Sequence, residues 1–145
     1  MFALSPAGGP SAPGTWTETL LYEFTNTPAA GAKPLSGVVL ADGVLYGTTY
    51  MGGRGYGAVY SLTAPAAGGA WTEKVLHIFG SGDGNFPEGG VLVKNGPGGV
   101  VLYGTTFGGG TDFQAPFIQL LRKAAPGSKR CFSAFRVITS VQPAA

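Results

Sequence analysis

The sequence predicts an all-β chain of antiparallel four-stranded meander repeats, and three observations predict it. Residues 44–53, V-L-Y-G-T-T-Y-M-G-G, return as residues 101–110, V-L-Y-G-T-T-F-G-G-G. Residues 16–24, W-T-E-T-L-L-Y-E-F, return in pattern as residues 71–79, W-T-E-K-V-L-H-I-F. Glycine stands at 26 and proline at 11 among 145 residues while charged residues are only 11%, a balance that favours short strands and many turns over long helices.

Taken in order, Phe2-Ala3-Leu4-Ser5 matches the end of the strand that reads in full Gly57-Ala58-Val59-Tyr60-Ser61-Leu62-Thr63, with Met1 standing where Val59 stands. The expectation is a start placed inside a longer gene; a natural amino terminus is the alternative. The strand beginning at Trp16 follows. Its alternation puts Leu21 and Leu76 on a different face from Leu20 and Val75, so both faces carry apolar side chains and the strand is predicted to be covered on both sides. A third run reads Gly37-Val38-Val39-Leu40 in one copy and Gly90-Val91-Leu92-Val93 in the other. Asp42-Gly43 after the first run tolerates positive φ at both centres of a tight hairpin, whereas 95–99 (N-G-P-G-G) makes a longer turn.

One unit therefore holds strands at 37–40, 44–49, 57–63 and 71–79. The copies are 55 residues apart between Trp16 and Trp71, and 57 between Tyr46 and Tyr103. A repeat of this length built from one antiparallel meander predicts incomplete β-propeller-like blades, with an open stacked β-solenoid as the alternative. Gly47 and Gly104 fall inside strands where a side chain is unwanted, and Gly52-Gly53 and Gly108-Gly109-Gly110 mark bends into the next strand. The division expected is a partial repeat array over 1–112, with one full unit at about 37–79 flanked by partial units, and a non-repeat basic tail over 113–145.

These motifs together carry a resemblance. L-Y-G-T-T at 45–49, Gly52-Gly53, the G-x-V-Y-x-L strand at 57–62, V-L-H-x-F at 75–79 and D-G-x-x-P-x-G-G at 83–90 resemble, in this order, the GloVer tandem repeat. The likeness covers residues 1–112. It implies a bacterial, exported or cell-surface repeat protein, often carrying a carboxy-terminal anchoring module of variable type, and it implies no catalytic residues. The first copy departs from the pattern: its loop at 26–34 (N-T-P-A-A-G-A-K-P) lacks the Asp-Gly of the second.

After Asp112 the pattern stops, and only Gly127 lies beyond. Residues 113–145 carry Arg122, Lys123, Lys129, Arg130 and Arg136 with no acid, a net of +5; residues 1–112 hold four basic residues against all seven acids, a net of −3. Permitted codons for residues 114–118, read two bases later, spell Gly-Thr-Val-Tyr, the missing strand. The same offset turns 129–135 into a close relative of V-L-H-x-F and allows Pro-Ala-Gly at 141–145. The expectation is that 113–145 is the translation of a shifted frame; a real basic tail is the alternative. Leu120-Leu121-Arg122-Lys123 is read as a short helix ended by Pro126-Gly127. The basic residues near Phe113, Phe117, Phe132 and Phe135 form no stacking platform and accompany no nucleic-acid motif, so no nucleic-acid partner is expected. The hydrophobic runs are too short for a bilayer helix, and residues 1–9 lack the basic and apolar segments of a secretory signal, so membrane insertion is not expected and any export signal belongs upstream.

The chemistry-bearing side chains are sparse. His77, the one histidine, lies in a strand, and spacing identifies no partner acid or nucleophile for it. Asp83-Gly84-Asn85 faintly echoes a calcium loop but lacks the later ligands and the closing glutamate, so it reads as a solvated turn. Thr48-Thr49 and Thr105-Thr106 read as strand threonines whose hydroxyls satisfy neighbours. Cys131 has no second cysteine to pair with. The run 108–110 lacks the Gly-Lys-Ser or Gly-Lys-Thr of a phosphate loop. Trp16 and Trp71 read as packing anchors between blades, with a sugar-stacking face as the alternative. No catalytic, cofactor-binding or metal-ligating residue is assigned and no cofactor is expected.

Two function classes remain. The first is a non-catalytic extracellular or cell-surface repeat module, a fragment of a longer propeller-like protein, contacting polysaccharide or a surface protein through loops. The second is a fragment of a propeller-type enzyme, for example a metal-dependent lactonase or a carbohydrate-active enzyme, for which Asp42, Asp83, Asp112 and four glutamates are the available acids. A truncated product with no independent function is a further reading. Unpaired edge strands predict self-association.

Overall fold

Apolar and β-branched residues alternate through V-L-Y-G-T-T and A-V-Y-S-L-T, and these two segments form the centre of the molecule. In the computed structural model, which describes residues 1–7, 14–80, 82–96, 99–109, 117–122 and 136–138, every element is a strand. In chain order they are β1 (Phe2–Pro6), β2 (Trp16–Leu20), β3 (Gly31–Ala32), β4 (Val39–Ala41), β5 (Val44–Thr49), β6 (Met51–Gly52), β7 (Ala58–Thr63), β8 (Thr72–Ile78), β9 (Leu92–Gly96), β10 (Gly99–Thr106), β11 (Phe117–Arg122) and β12 (Arg136–Ile138).

The strands form four antiparallel sheets. The central one runs β4-β5-β7-β8, a meander; the second runs β9-β10-β11-β12; β1 pairs with β2, and β3 with β6. No sheet closes on itself among the described residues. Asp42 and Gly43, at φ of 50° and 74°, turn β4 into β5 with positive φ at both centres, as the Asp-Gly dipeptide predicts.

The repeat is visible in the register. Val39 stands opposite Tyr46, and Leu92 opposite Tyr103. Tyr60 stands opposite Val75, and Phe2 opposite Leu20; Leu62 opposite Glu73, and Leu4 opposite Glu18. The β1-β2 hairpin is thus built like β7-β8, and β9-β10 like β4-β5.

Alternation sends the two faces of the central sheet to different neighbours. On its front face Tyr46 and Val59, with Phe79 just past β8, pack against Val91, Val100 and Leu102 of the second sheet in one buried cluster. On its back face Tyr60 and Leu62 are fully buried, and the Tyr60 ring meets Phe24 edge-on at 4.9 Å. Within the leading segment the Met1 ammonium donates to the Tyr22 carbonyl at 2.6 Å. Tyr22 in turn donates its hydroxyl to Glu73 Oε2 at 2.8 Å.

Two expectations fail. The strand starting at Trp16 is not covered on both sides: every residue of β2 is exposed, Trp16 at 64% and Leu20 at 66%, because no sheet lies on its outer face among the described residues. Trp16 is therefore no packing anchor. The short helix at 120–123 is also wrong over its described residues, since β10 offers an unpaired edge and residues 117–122 pair along it as β11. Most of residues 113–145, with Cys131, lies outside the described residues, and so does the expectation placed on them.

Candidate functional site

The repeated motifs converge where each G-G bend meets a loop ending in proline. In the first copy Gly31 lies so close to Thr49 that an added Cβ would stand 2.6 Å from its hydroxyl; in the second, Gly84 stands likewise at 2.8 Å from the hydroxyl of Thr106. Lys33 and Phe86, two residues further on, take nearly the same left-handed φ, 54° and 53°. The Tyr50 N–H donates to the Lys33 carbonyl at 2.9 Å, and the Phe107 N–H to the Phe86 carbonyl at 3.0 Å. Ala32 pairs with Met51 in the β3-β6 ladder, and Asn85 bridges to Gly108 in the corresponding place. The first loop has lost its Asp-Gly and keeps the geometry, so the glycine facing threonine is what this substructure needs.

The Y-G-T-T strand is equally committed. Tyr46, Thr48 and Thr49 are buried. Thr48 Oγ1 donates to the Gly89 carbonyl at 2.8 Å, joining the central sheet to the loop before the second, and lies 3.0 Å from Ser36 Oγ. Thr49 Oγ1 and the Tyr60 hydroxyl are buried without a hydrogen-bond partner among the described residues. Burial is the first cause that pushes the Tyr60 phenol well above its ordinary range, and the Glu73 charge adds to it.

His77 and Asp83 pair a base with an acid. His77 on β8 places Nε2 3.0 Å from Asp83 Oδ2, while the other carboxylate oxygen accepts the Gly80 N–H at 2.6 Å. The turn after β8 thus brings back an acid six residues later. Burial lowers the imidazole pKa; the Asp83 charge and hydrogen bond pull it upward without overcoming that. The Phe79 ring stands edge-on to the imidazole at 4.8 Å. Arg54, Ile78, Gly80 and Gly82 line an open depression beside Asp83. Chemically, the pair can clip the turn to β8 and take up a proton on acidification.

The arrangement corrects the reading of Asp83 as part of a solvated turn and supplies the partner that spacing alone does not identify for His77. An aspartate three residues after a strand-ending glycine was the available signal. Among the described residues no group of three or more His, Cys, Asp or Glu side chains could hold a metal ion. Of the two recurring glutamates, Glu73 joins Tyr22 to the central sheet, and its Oε1 accepts the Gly31 N–H at 3.4 Å, whereas Glu18 is exposed. Compared with known protein families, curated proteins and solved structures, the chain finds no match.

Proposed function

We propose that this chain is a non-catalytic repeat module of an extracellular or cell-surface protein, its four-stranded sheets stacked as propeller-like blades and its loops available to polysaccharide or a surface protein. The observation that carries the reading is the commitment of the repeated residues to stacking. Tyr46 fills the cluster between two sheets, Thr48 bonds from one to the loop before the next, and Gly31 and Gly84 admit the threonines of their own units. The repeat thereby specifies how one sheet seats on another. The resemblance of these motifs to the GloVer repeat belongs to the same proposal, and the exported or surface location rests on it.

The competing class is a propeller-type metal enzyme. Calorimetric titration with calcium and with zinc separates the two: the repeat-module reading expects no saturable heat, and tight stoichiometric binding would sink it. Retarded migration of the chain through gels containing soluble polysaccharide tests the binding role, with a loop variant, Arg54→Ala, as its comparison.

A further inference from the structure

The chain carries two half-blades of opposite kind. The β1-β2 hairpin has the register of β7-β8 and lacks its inner pair; the β9-β10 hairpin has the register of β4-β5 and is completed by β11-β12. In the central sheet the residue opposite Gly47 is Tyr60, whose ring lies over the glycine: a Cβ there would meet its hydroxyl at 2.6 Å. In the second sheet the residue opposite Gly104 is Gln119, and among the described side chains a Cβ on Gly104 would meet nothing closer than Val91 at 3.6 Å. Beside Gly104 a small apolar cavity is lined by Phe79, Val91, Leu102 and Thr106. Phe79 stands in the second sheet's junction where Phe24, its counterpart 55 residues earlier, meets Tyr60.

The residue that matches Tyr60 in β1 is Phe2, and Leu4 matches Leu62. Both are exposed where their counterparts are fully buried. The exposed apolar residues elsewhere fall at the complementary place. Leu40, 65% exposed, is on the back face of the central sheet, where inner strands of a preceding blade would lie; Leu92, 68% exposed, is on the front face of β9.

We propose that the β1-β2 hairpin of a second copy of this chain pairs with the β10 edge, taking the place of β11-β12 and setting Phe2 over Gly104. The register follows from the central sheet, with Ala3 opposite Tyr103 and Leu4 opposite Leu102. The contact joins unlike surfaces, so it repeats head to tail and forms open chains of blades rather than a closed pair. It is addition of strands to a sheet edge, with side-chain pockets fixing the register. The proposal rests on the blade reading and goes beyond unspecific edge pairing by naming the strands and their alignment.

The test uses full-length chains in a Cys131→Ser background. One carries Ala3→Cys, the other Tyr103→Cys, and the two are mixed with a short bifunctional thiol reagent. The expected result is a crosslinked heterodimer that neither chain gives alone. Leu120→Pro in the Tyr103→Cys chain weakens the β10-β11 ladder and should raise the yield several-fold. Gly104→Val in that chain occupies the seat of Phe2 and should abolish the product. The proposal is overturned by equal crosslinking of the Ala3→Cys chain to itself, by equal crosslinking to a Lys94→Cys chain one strand away, or by no product even with Leu120→Pro. Metal or polysaccharide titration of the uncrosslinked chain is unaffected by any of these outcomes, so failure here leaves the repeat-module reading standing.

Discussion

Two adjacent threonines of one motif do different work, and substitution separates them. Thr48 is buried and bonded to Gly89 across a sheet junction, while Thr49 is buried with its hydroxyl unpaired among the described residues. Thr48→Val leaves the Gly89 carbonyl without its donor and should cost about 1–2 kcal/mol. Thr49→Val removes an unpaired hydroxyl at nearly constant volume and should leave stability unchanged or raise it by up to about 1 kcal/mol. Urea midpoints at unchanged m-value measure both, and equal losses would refute the distinction. His77 gives a pH dependence. Burial holds its pKa below the ordinary 6.5, so in the window from 6.5 down to the folded value the unfolded chain binds more protons than the folded one. That contribution to stability is complete above about pH 6.5 and is lost as pH falls. The urea midpoint should drop between pH 7.5 and 5.5, and His77→Gln should flatten that part of the slope; an unchanged slope would remove His77 as its source. The expectation that both hydroxyls satisfy neighbours holds for Thr48 and fails for Thr49, and His77 had no partner by spacing, because alternation assigns a face to a side chain but does not say what meets it there.

At the scale of the element, the strands themselves were legible and their smallest pairings were not. The Asp42-Gly43 hairpin and the four strands of the central sheet follow from period-two alternation and turn chemistry. The β3-β6 ladder has two residues on each side, too few for any periodicity, and exists because Gly31 and Gly52 let two backbones approach. Leu120-Leu121-Arg122 reads equally well as helix or strand, and the open edge of β10 decides it. The glycines inside strands show the same dependence on a neighbour. Gly47→Ala drives a methyl into the Tyr60 ring, which is fully buried and held edge-on by Phe24, so a loss of about 1–3 kcal/mol is expected. Gly104→Ala meets only ordinary contact distances among the described side chains and should lose nothing, or gain a few tenths to 1 kcal/mol by restricting the unfolded chain. Chemical denaturation of the two variants side by side decides the point: similar losses would mean that the close approach of Tyr60 is not what excludes a side chain at Gly47.

For the whole molecule, the repeat foretold which strands are equivalent, and the structure adds how unequally they are covered. The central sheet has a neighbour on both faces, with Tyr46, Val59 and Phe79 buried against the second sheet and Tyr60 against Phe24 of the leading segment. The β1-β2 hairpin repeats the β7-β8 register, yet every residue of β2 is exposed whereas most of β8 is half-buried, although the two sequence patterns match. Coverage belongs to the assembly of sheets, so one strand's pattern could not reveal it. The consequence is a gradient of local stability. Amides of β5 and β7 are enclosed by ladders on both sides and by side chains above and below, and should exchange only through global unfolding. Amides of β2 lie in a fully exposed edge strand held by β1 alone, and should exchange through local opening at least a hundredfold faster, about 3 kcal/mol less protected. Hydrogen exchange read by mass spectrometry on peptides from 16–20 and 58–63 at low protein concentration measures the difference. Equal protection of the two would mean that the leading hairpin and the central sheet unfold as one unit, with Phe24, Tyr22 and Met1 binding them more tightly than the exposed face of β2 implies.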